Sequence, residues 1–231
     1  MNFGKAGICI FLLLGLVSAF GSTECRQVQA DTFFTSINRK IDHETFDAAL
    51  LENAVVFYSN TARKKHSTPA CQSNELLHRT ARKHSREMAE LGFFSHTSPN
   101  SANRTLENRL RNQEVILKNV CIGENLAVDF ILDISGRVYY TEKRGSKTVY
   151  IDNETGRQIV PQTYRHFAQT VVQQWLESPE HRKNLLNKGF TSMGVGVYRG
   201  TYKGLAAVYV TQNFYGRLGP EPVSGVTEQS R

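Results

Sequence analysis

The chain has 231 residues, 40% of them apolar, four cysteines and a formal charge of +7. So few cysteines exclude a disulfide scaffold, so a hydrophobic core must carry the fold. The positive charge would suit anionic surfaces such as cell wall, acidic glycans, lipid head groups or nucleic acid. Its clusters are dispersed, however: Arg63-Lys64-Lys65, Arg82-Lys83, Arg104 to Arg111, Lys143-Arg144 and Arg182-Lys183. Most fall in helical stretches and read as solvated faces. No aromatic residues interleave with them, so specific nucleic-acid binding is not expected.

In chain order, Lys5 and the apolar run Ala6 to Val17 precede the small residues Val17-Ser18-Ala19. This pattern predicts a signal peptide over residues 1–19 and a secreted, periplasmic or extracellular product. The run is shorter than the roughly 20 residues that span a bilayer. A retained anchor is the alternative, and no later stretch is long enough to span. Removal of the signal leaves roughly 210 residues, enough for one large domain or two small ones.

Residues 20–42 lack periodicity and are expected to form an N-terminal arm. Asp42 opens a helical stretch through Phe46, Leu50, Val55 and Tyr58, and Asn60 to Ala70 reads as a loop. With Ser73 as N-cap, Leu77, Ala81, His84, Met88 and Leu91 share one helix face, and Gly92 is the stop. His84 thus falls on the core stripe and reads as a structural histidine. Phe93 to Pro99 is a turn carrying His96, and a short helix is expected over 103–111. Cys121 to Val128 is an apolar strand interrupted by Glu124.

Residues 131–162 read as a hairpin-like surface insertion, with strands Arg137 to Thr141 and Thr148 to Ile151. Helical spacing returns from Tyr164 to Leu176. Ser178-Pro179 restarts a helix. Met193 to Tyr198 and Leu205 to Tyr215 are strands joined by a turn over 199–204. Residues 218–231 form a flexible tail. Helices first and a terminal hairpin predict an α+β domain over 43–217, with helices packed on an antiparallel sheet.

Cys9 leaves with the signal, so Cys25, Cys71 and Cys121 allow one internal bridge. Cys71 with Cys121 is the preferred pair, and Cys25 in the arm could pair between chains.

Three polar residues sit in segments otherwise built for burial: His96, Glu124 and His181. His181 lies in the first turn of its helix, whose positive end favours neutral imidazole. Two histidines and a carboxylate would suit a divalent ion such as zinc, held by His96 and His181. Alternatively, Glu124 orients one histidine as a general base.

Six runs in order resemble one family. They are Ala81 to Ala89 (ARKHSREMA), Phe93 to Pro99 (FFSHTSP), Gly123 to Ala127 (GENLA), Trp175 to Leu186 (WLESPEHRKNLL), Gly194 to Val197 (GVGV) and Tyr209 to Gln212 (YVTQ). Together they are similar to the CAP superfamily (cysteine-rich secretory proteins, antigen 5, pathogenesis-related 1) in its bacterial SCP-like form. The resemblance implies an α-β-α sandwich with a central cleft. In that cleft it implies a tetrad of two histidines and two acids able to hold zinc. His96 and His181 match the histidines and Glu124 the first acid. Glu177 and Glu180 are the candidates for the second acid, and neither aligns cleanly. His166 resembles the animal histidine motif at the wrong distance. The 131–162 insertion departs from the compact bacterial pattern.

The expected function is a binding module acting at the cell envelope or in host interaction. Its cleft would take a divalent metal or a small or lipid ligand, with no catalysis assigned. The alternative is an ester or peptide hydrolase using the same cleft, but no serine or cysteine sits in a recognisable nucleophile elbow. A monomer or weak dimer is expected.

Overall fold

The computed structural model describes residues 30–219. The expected signal peptide, the start of the arm and the tail from residue 220 lie outside the described residues. The chain divides into two compact units, Met1–Ser36 and Ile37–Arg231. In the first, the described residues 30–36 are helical.

In the second unit, Asp47 starts helix α1 (Ala48–Lys65) by accepting the Leu50 N–H on Oδ1. The helix continues through residues 60–65, where a loop was expected, because Arg63 is fully buried there. Its guanidinium donates to the carbonyls of Pro69, Leu185, Asn187 and Phe190. Such a buried cation needs its donors filled, and four backbone acceptors fill them.

Strand β1 (Gln72–Ser73) precedes helix α2 (Glu75–Leu91). The N-cap of α2 is Asn74 rather than Ser73, and Gly92 ends the helix at φ 68°. That left-handed geometry favours glycine. A short helix α3 (Leu106–Arg111) and strands β2 (Val120–Phe130), β3 (Tyr139–Arg144) and β4 (Lys147–Asp152) follow. Then come α4 (Tyr164–Glu177), α5 (Pro179–Leu185), β5 (Ser192–Tyr202) and β6 (Leu205–Arg217). Ser178 is the N-cap of α5, with proline in the first turn, although its side chain makes no capping bond.

The protein is α+β. The main sheet runs β1-β5-β6-β2, with β5, β6 and β2 antiparallel and β1 parallel to β5. The expectation of a wholly antiparallel sheet is therefore corrected by this two-residue edge strand. The β5–β6 hairpin is longer than expected because its turn is only Lys203-Gly204, at φ 50° and 80°. Two positive φ angles match the twist of the flanking strands.

Gly194 and Gly196 of β5 permit a close approach of α2. A Cβ on either would collide with the α2 backbone, at His78 N and Arg82 N. On the opposite face, Gln212 of β6 donates to Ser59 of α1, and Asn125 of β2 donates to the His181 carbonyl of α5. The Trp175 indole N–H donates to the Leu126 carbonyl at 2.9 Å, tying α4 to β2. Central strand β6 is buried on both faces from Ala207 to Phe214. Its burial is therefore continuous and takes in the polar residues Thr211, Gln212 and Asn213.

The insertion is a separate two-stranded sheet, β3 paired with β4. Its base is held to the main sheet by Ile131 N–H donating to Ala206 O and Gln162 N–H donating to Ile131 O.

The expected Cys71–Cys121 bridge is not formed; both are free thiols. Cys71 directly precedes β1 and Cys121 lies in β2, at opposite edges of the sheet. Three strand spacings of about 4.8 Å separate those edges. A disulfide needs Cα atoms within roughly 7 Å. Each thiol donates instead to a backbone carbonyl, Cys71 to Phe190 and Cys121 to Gly189. Burial pushes the Cys71 thiol up to about 11.

Candidate functional site

Glu124 sits in the middle of β2, directly across from Asn213 of β6. The Gly194–Asn213 pairing on the other side of β6 places Glu124 on the sheet face that α2 covers. Its side chain is 4% exposed. A carboxylate there must be compensated.

Arg109 of α3 supplies the compensating charge. Its side chain is 0% exposed, and Nη2 donates to both Glu124 oxygens, at 2.8 and 2.7 Å. Nη1 donates to the carbonyls of His96 and Asn103. His96 Nδ1 lies 2.9 Å from Glu124 Oε1. The Asn213 amide nitrogen lies 3.1 Å from Oε2 in the orientation that satisfies both ends of that amide. Burial alone would raise the Glu124 pKa. The His96 hydrogen bond and the Arg109 charge outweigh it and hold the carboxyl below its ordinary value.

A carboxylate only accepts, so His96 donates from Nδ1, and in the neutral ring Nε2 is then the acceptor. The His96 side chain is 57% exposed. The loop bearing it is pinned twice. Arg109 takes the His96 carbonyl, and His84 Nε2 donates to the Ser95 carbonyl at 3.0 Å. His84 is fully buried, and burial pushes its pKa down, so it is neutral. Glu87 of α2 closes the loop by accepting from Ser98 and Asn103.

His181 enters from the first turn of α5. Burial lowers its pKa, and the charge of His96 lowers it further. Asn125 and Asn184 brace α5 against β2. Asn125 Nδ2 donates to the His181 carbonyl at 3.1 Å and Asn184 Nδ2 to the Glu124 carbonyl at 3.0 Å. The structure therefore joins His96 to Glu124 and sets α5, which carries His181, against β2.

Glu177 and Glu180 are not part of this arrangement. Glu177 is exposed at the end of α4 and accepts from Gln173 within the same helix. Glu180 is exposed in the first turn of α5. His166 pairs with Asp133 at 3.6 Å.

The donor set does not make a three-ligand zinc centre. Catalytic zinc takes three protein ligands. Here both Glu124 oxygens are engaged by Arg109, which leaves two imidazoles. Among the described residues, no group of three or more His, Cys, Asp or Glu is arranged to hold a metal.

Sequence reasoning missed Arg109, Asn213 and Asn184. Arg109 was counted in the Arg104 to Arg111 cluster as a solvated face. The available signal was its position between Leu106 and Leu110 on the apolar side of a short helix. Asn213 was legible only through the strand register.

The CAP family model, described as the cysteine-rich secretory protein family, matches residues 56–214. YkwD of Bacillus subtilis (strain 168) is 28% identical over 145 residues, covering 63% of this chain and 41% of YkwD. The membrane protein YlbC of the same organism is 28% identical over 166 residues, covering 72% of this chain and 34% of YlbC. The chain thus spans less than half the length of either relative. A crystal structure of an extracellular protein containing a SCP domain from Bacillus anthracis str. Ames is 26% identical. It aligns over 74% of this chain and 41% of that one, with a TM-score of 0.48.

Proposed function

Because the chain belongs to the CAP, or cysteine-rich secretory protein, family, we propose that it is a secreted binding module. Its ligand meets the imidazoles of His96 and His181 at the cell envelope or a host surface. Among the described residues, no helix is long and apolar enough to cross a membrane. Secretion itself rests on the signal pattern in residues 1–19.

The observation that carries the reading is the engagement of Glu124. Arg109 neutralises its charge and occupies both oxygens. A carboxylate held this way is a poor proton acceptor. Its role is to orient His96. Among the described residues, no serine, threonine or cysteine hydrogen-bonds His96 or His181, so no activated nucleophile is assembled there. Imidazoles can accept hydrogen bonds from a ligand through an unprotonated ring nitrogen. They can also hold a divalent ion weakly, with water completing its shell.

The hydrolase alternative draws on the same Glu124–His96 pair, which resembles the base half of a triad. Both readings meet one experiment. The labelled protein is titrated with zinc chloride and, separately, with phosphatidylglycerol vesicles, while its imidazole NMR signals are followed. Hydrolysis of p-nitrophenyl acetate is measured in parallel. The binding reading expects the His96 and His181 signals to move saturably with at least one probe. Ester turnover should then equal that of the folded His96→Ala/His181→Ala variant. Turnover that disappears in that variant would replace binding with catalysis.

A further inference from the structure

A second pair of chemically active side chains lies at the edge of the sheet opposite β2. Ser73 ends β1, the outermost strand there, and is exposed. Asn74 caps α2 in its place, which leaves the Ser73 hydroxyl free of the helix. Ser73 Oγ lies 2.8 Å from Nε2 of His78, in the first turns of α2. His78 is buried, with 5% of its surface exposed. Its Nδ1 lies 2.6 Å from the Val195 carbonyl oxygen of β5 and 3.1 Å from the Val195 nitrogen.

Val195 decides the tautomer. Its carbonyl only accepts, and a lone pair on Nδ1 would repel it at 2.6 Å, so the proton sits on Nδ1. In the neutral ring Nε2 is then the acceptor, and the Ser73 hydroxyl donates to it. A hydroxyl on an imidazole whose other nitrogen is held by a fixed acceptor has the order of nucleophile, base and orienting group. The surroundings also suit developing negative charge. The N–H groups of Gln72 and Asn74 donate towards β5, so the Ser73 N–H faces the open edge. In the first turn of α2, Asn74 takes the Leu77 N–H, and the Glu75 and Leu76 N–H groups have no partner within the helix. The Glu75 carboxylate is held by Arg82.

We infer that Ser73 is a catalytic nucleophile, with His78 as its general base, and that it takes small carboxylic esters. An exposed hydroxyl at a sheet edge offers approach from solvent but little binding, which suits small, unhindered acyl groups. Nε2 takes the Ser73 proton as Oγ bonds to the acyl carbon. The Ser73, Glu75 and Leu76 N–H groups stabilise the oxyanion. The bond from the acyl carbon to the alcohol oxygen then breaks, and the departing oxygen takes the proton from Nε2. Water completes the cycle. It gives a proton to Nε2 while its oxygen bonds to the acyl carbon. The bond to Oγ then breaks, Oγ recovers the proton, and the carboxylic acid leaves. The pair shares no residue with the His96–Glu124 arrangement, so turnover that follows Ser73 leaves the binding reading intact.

Diisopropyl fluorophosphate is the probe. Ser73 Oγ bonds to phosphorus, the P–F bond breaks, fluoride leaves, and Nε2 takes the hydroxyl proton. The full chain is treated with it, and adducts are located by peptide mass spectrometry. Hydrolysis of p-nitrophenyl acetate is measured alongside. Ser73 should be labelled about tenfold or more faster than Ser146, an exposed serine in the turn between β3 and β4. Ser73→Ala should keep the melting temperature, because the side chain is exposed, and should lower ester turnover by about tenfold or more. His78→Gln should slow the labelling of Ser73 on the same scale. The inference is overturned if Ser73 carries no adduct or is labelled no faster than Ser146. It is also overturned if Ser73→Ala hydrolyses the ester as fast as wild type, or if a folded His78→Gln variant is labelled at the wild-type rate.

Discussion

At the scale of single residues, Arg109 carries more of the site than either histidine. It neutralises a buried carboxylate and holds the backbone of the loop that presents His96. Removing one partner of a buried pair leaves an uncompensated charge, at a cost of about 3–5 kcal/mol. Arg109→Met should therefore lose stability on that scale in urea denaturation. A loss below about 1 kcal/mol would mean that the pair is solvated. The same residues set a pH dependence. His84 has a folded pKa below its ordinary 6.5, so its neutral form favours folding above that pH. This contribution is lost as pH falls towards the lower folded value. Glu124 acts in the same direction further down, contributing above its ordinary 4.5 and losing its contribution as pH falls through its lower folded value. Unfolding free energy should thus decline on acidification from just below pH 6.5. His84→Gln should flatten the upper part of that decline, and a wild-type curve flat from pH 7 to 5 would contradict the assignment.

At the scale of elements, the glycines of Gly194-Val195-Gly196-Val197 permit the approach of α2 to β5. A methyl group at Gly196 meets the α2 backbone rather than a flexible side chain. Gly196→Ala should cost about 1–3 kcal/mol or more, the usual scale of overpacking. It should also shift the Ser85 hydroxyl, which donates to the Gly196 carbonyl. Thermal melting and the solvent protection of α2 amides test this. The helices from Leu77 to Leu91 and from Tyr164 to Leu176 were legible because each has one apolar face at regular spacing. The end of α1 was not, because Arg63 looks like a surface cation in sequence, and three of its four carbonyl acceptors lie more than a hundred residues away. Strand β1 is two residues long and carries no periodicity to read. The absence of a Cys71–Cys121 bridge follows from strand order, which spacing along the chain does not encode.

At the scale of the whole molecule, α2, the loop after it, α3 and α5 all converge on β2, an edge strand of the main sheet. That arrangement explains why residues so distant in sequence form one site. His96 and Glu124 were readable as polar residues in apolar segments. Their purpose was not, because the deciding partner, Arg109, sits in a basic run that resembles many solvated ones. The central claim is that Arg109 and Glu124 fix His96 with its proton on Nδ1 and its Nε2 free for a ligand. The most direct test is the tautomer of His96, read from long-range proton–nitrogen NMR couplings at a pH where the ring is neutral. The account expects the Nδ1–H tautomer in the wild type and its loss in Arg109→Met. A His96 protonated on Nε2, or averaging between tautomers in the wild type, would contradict it.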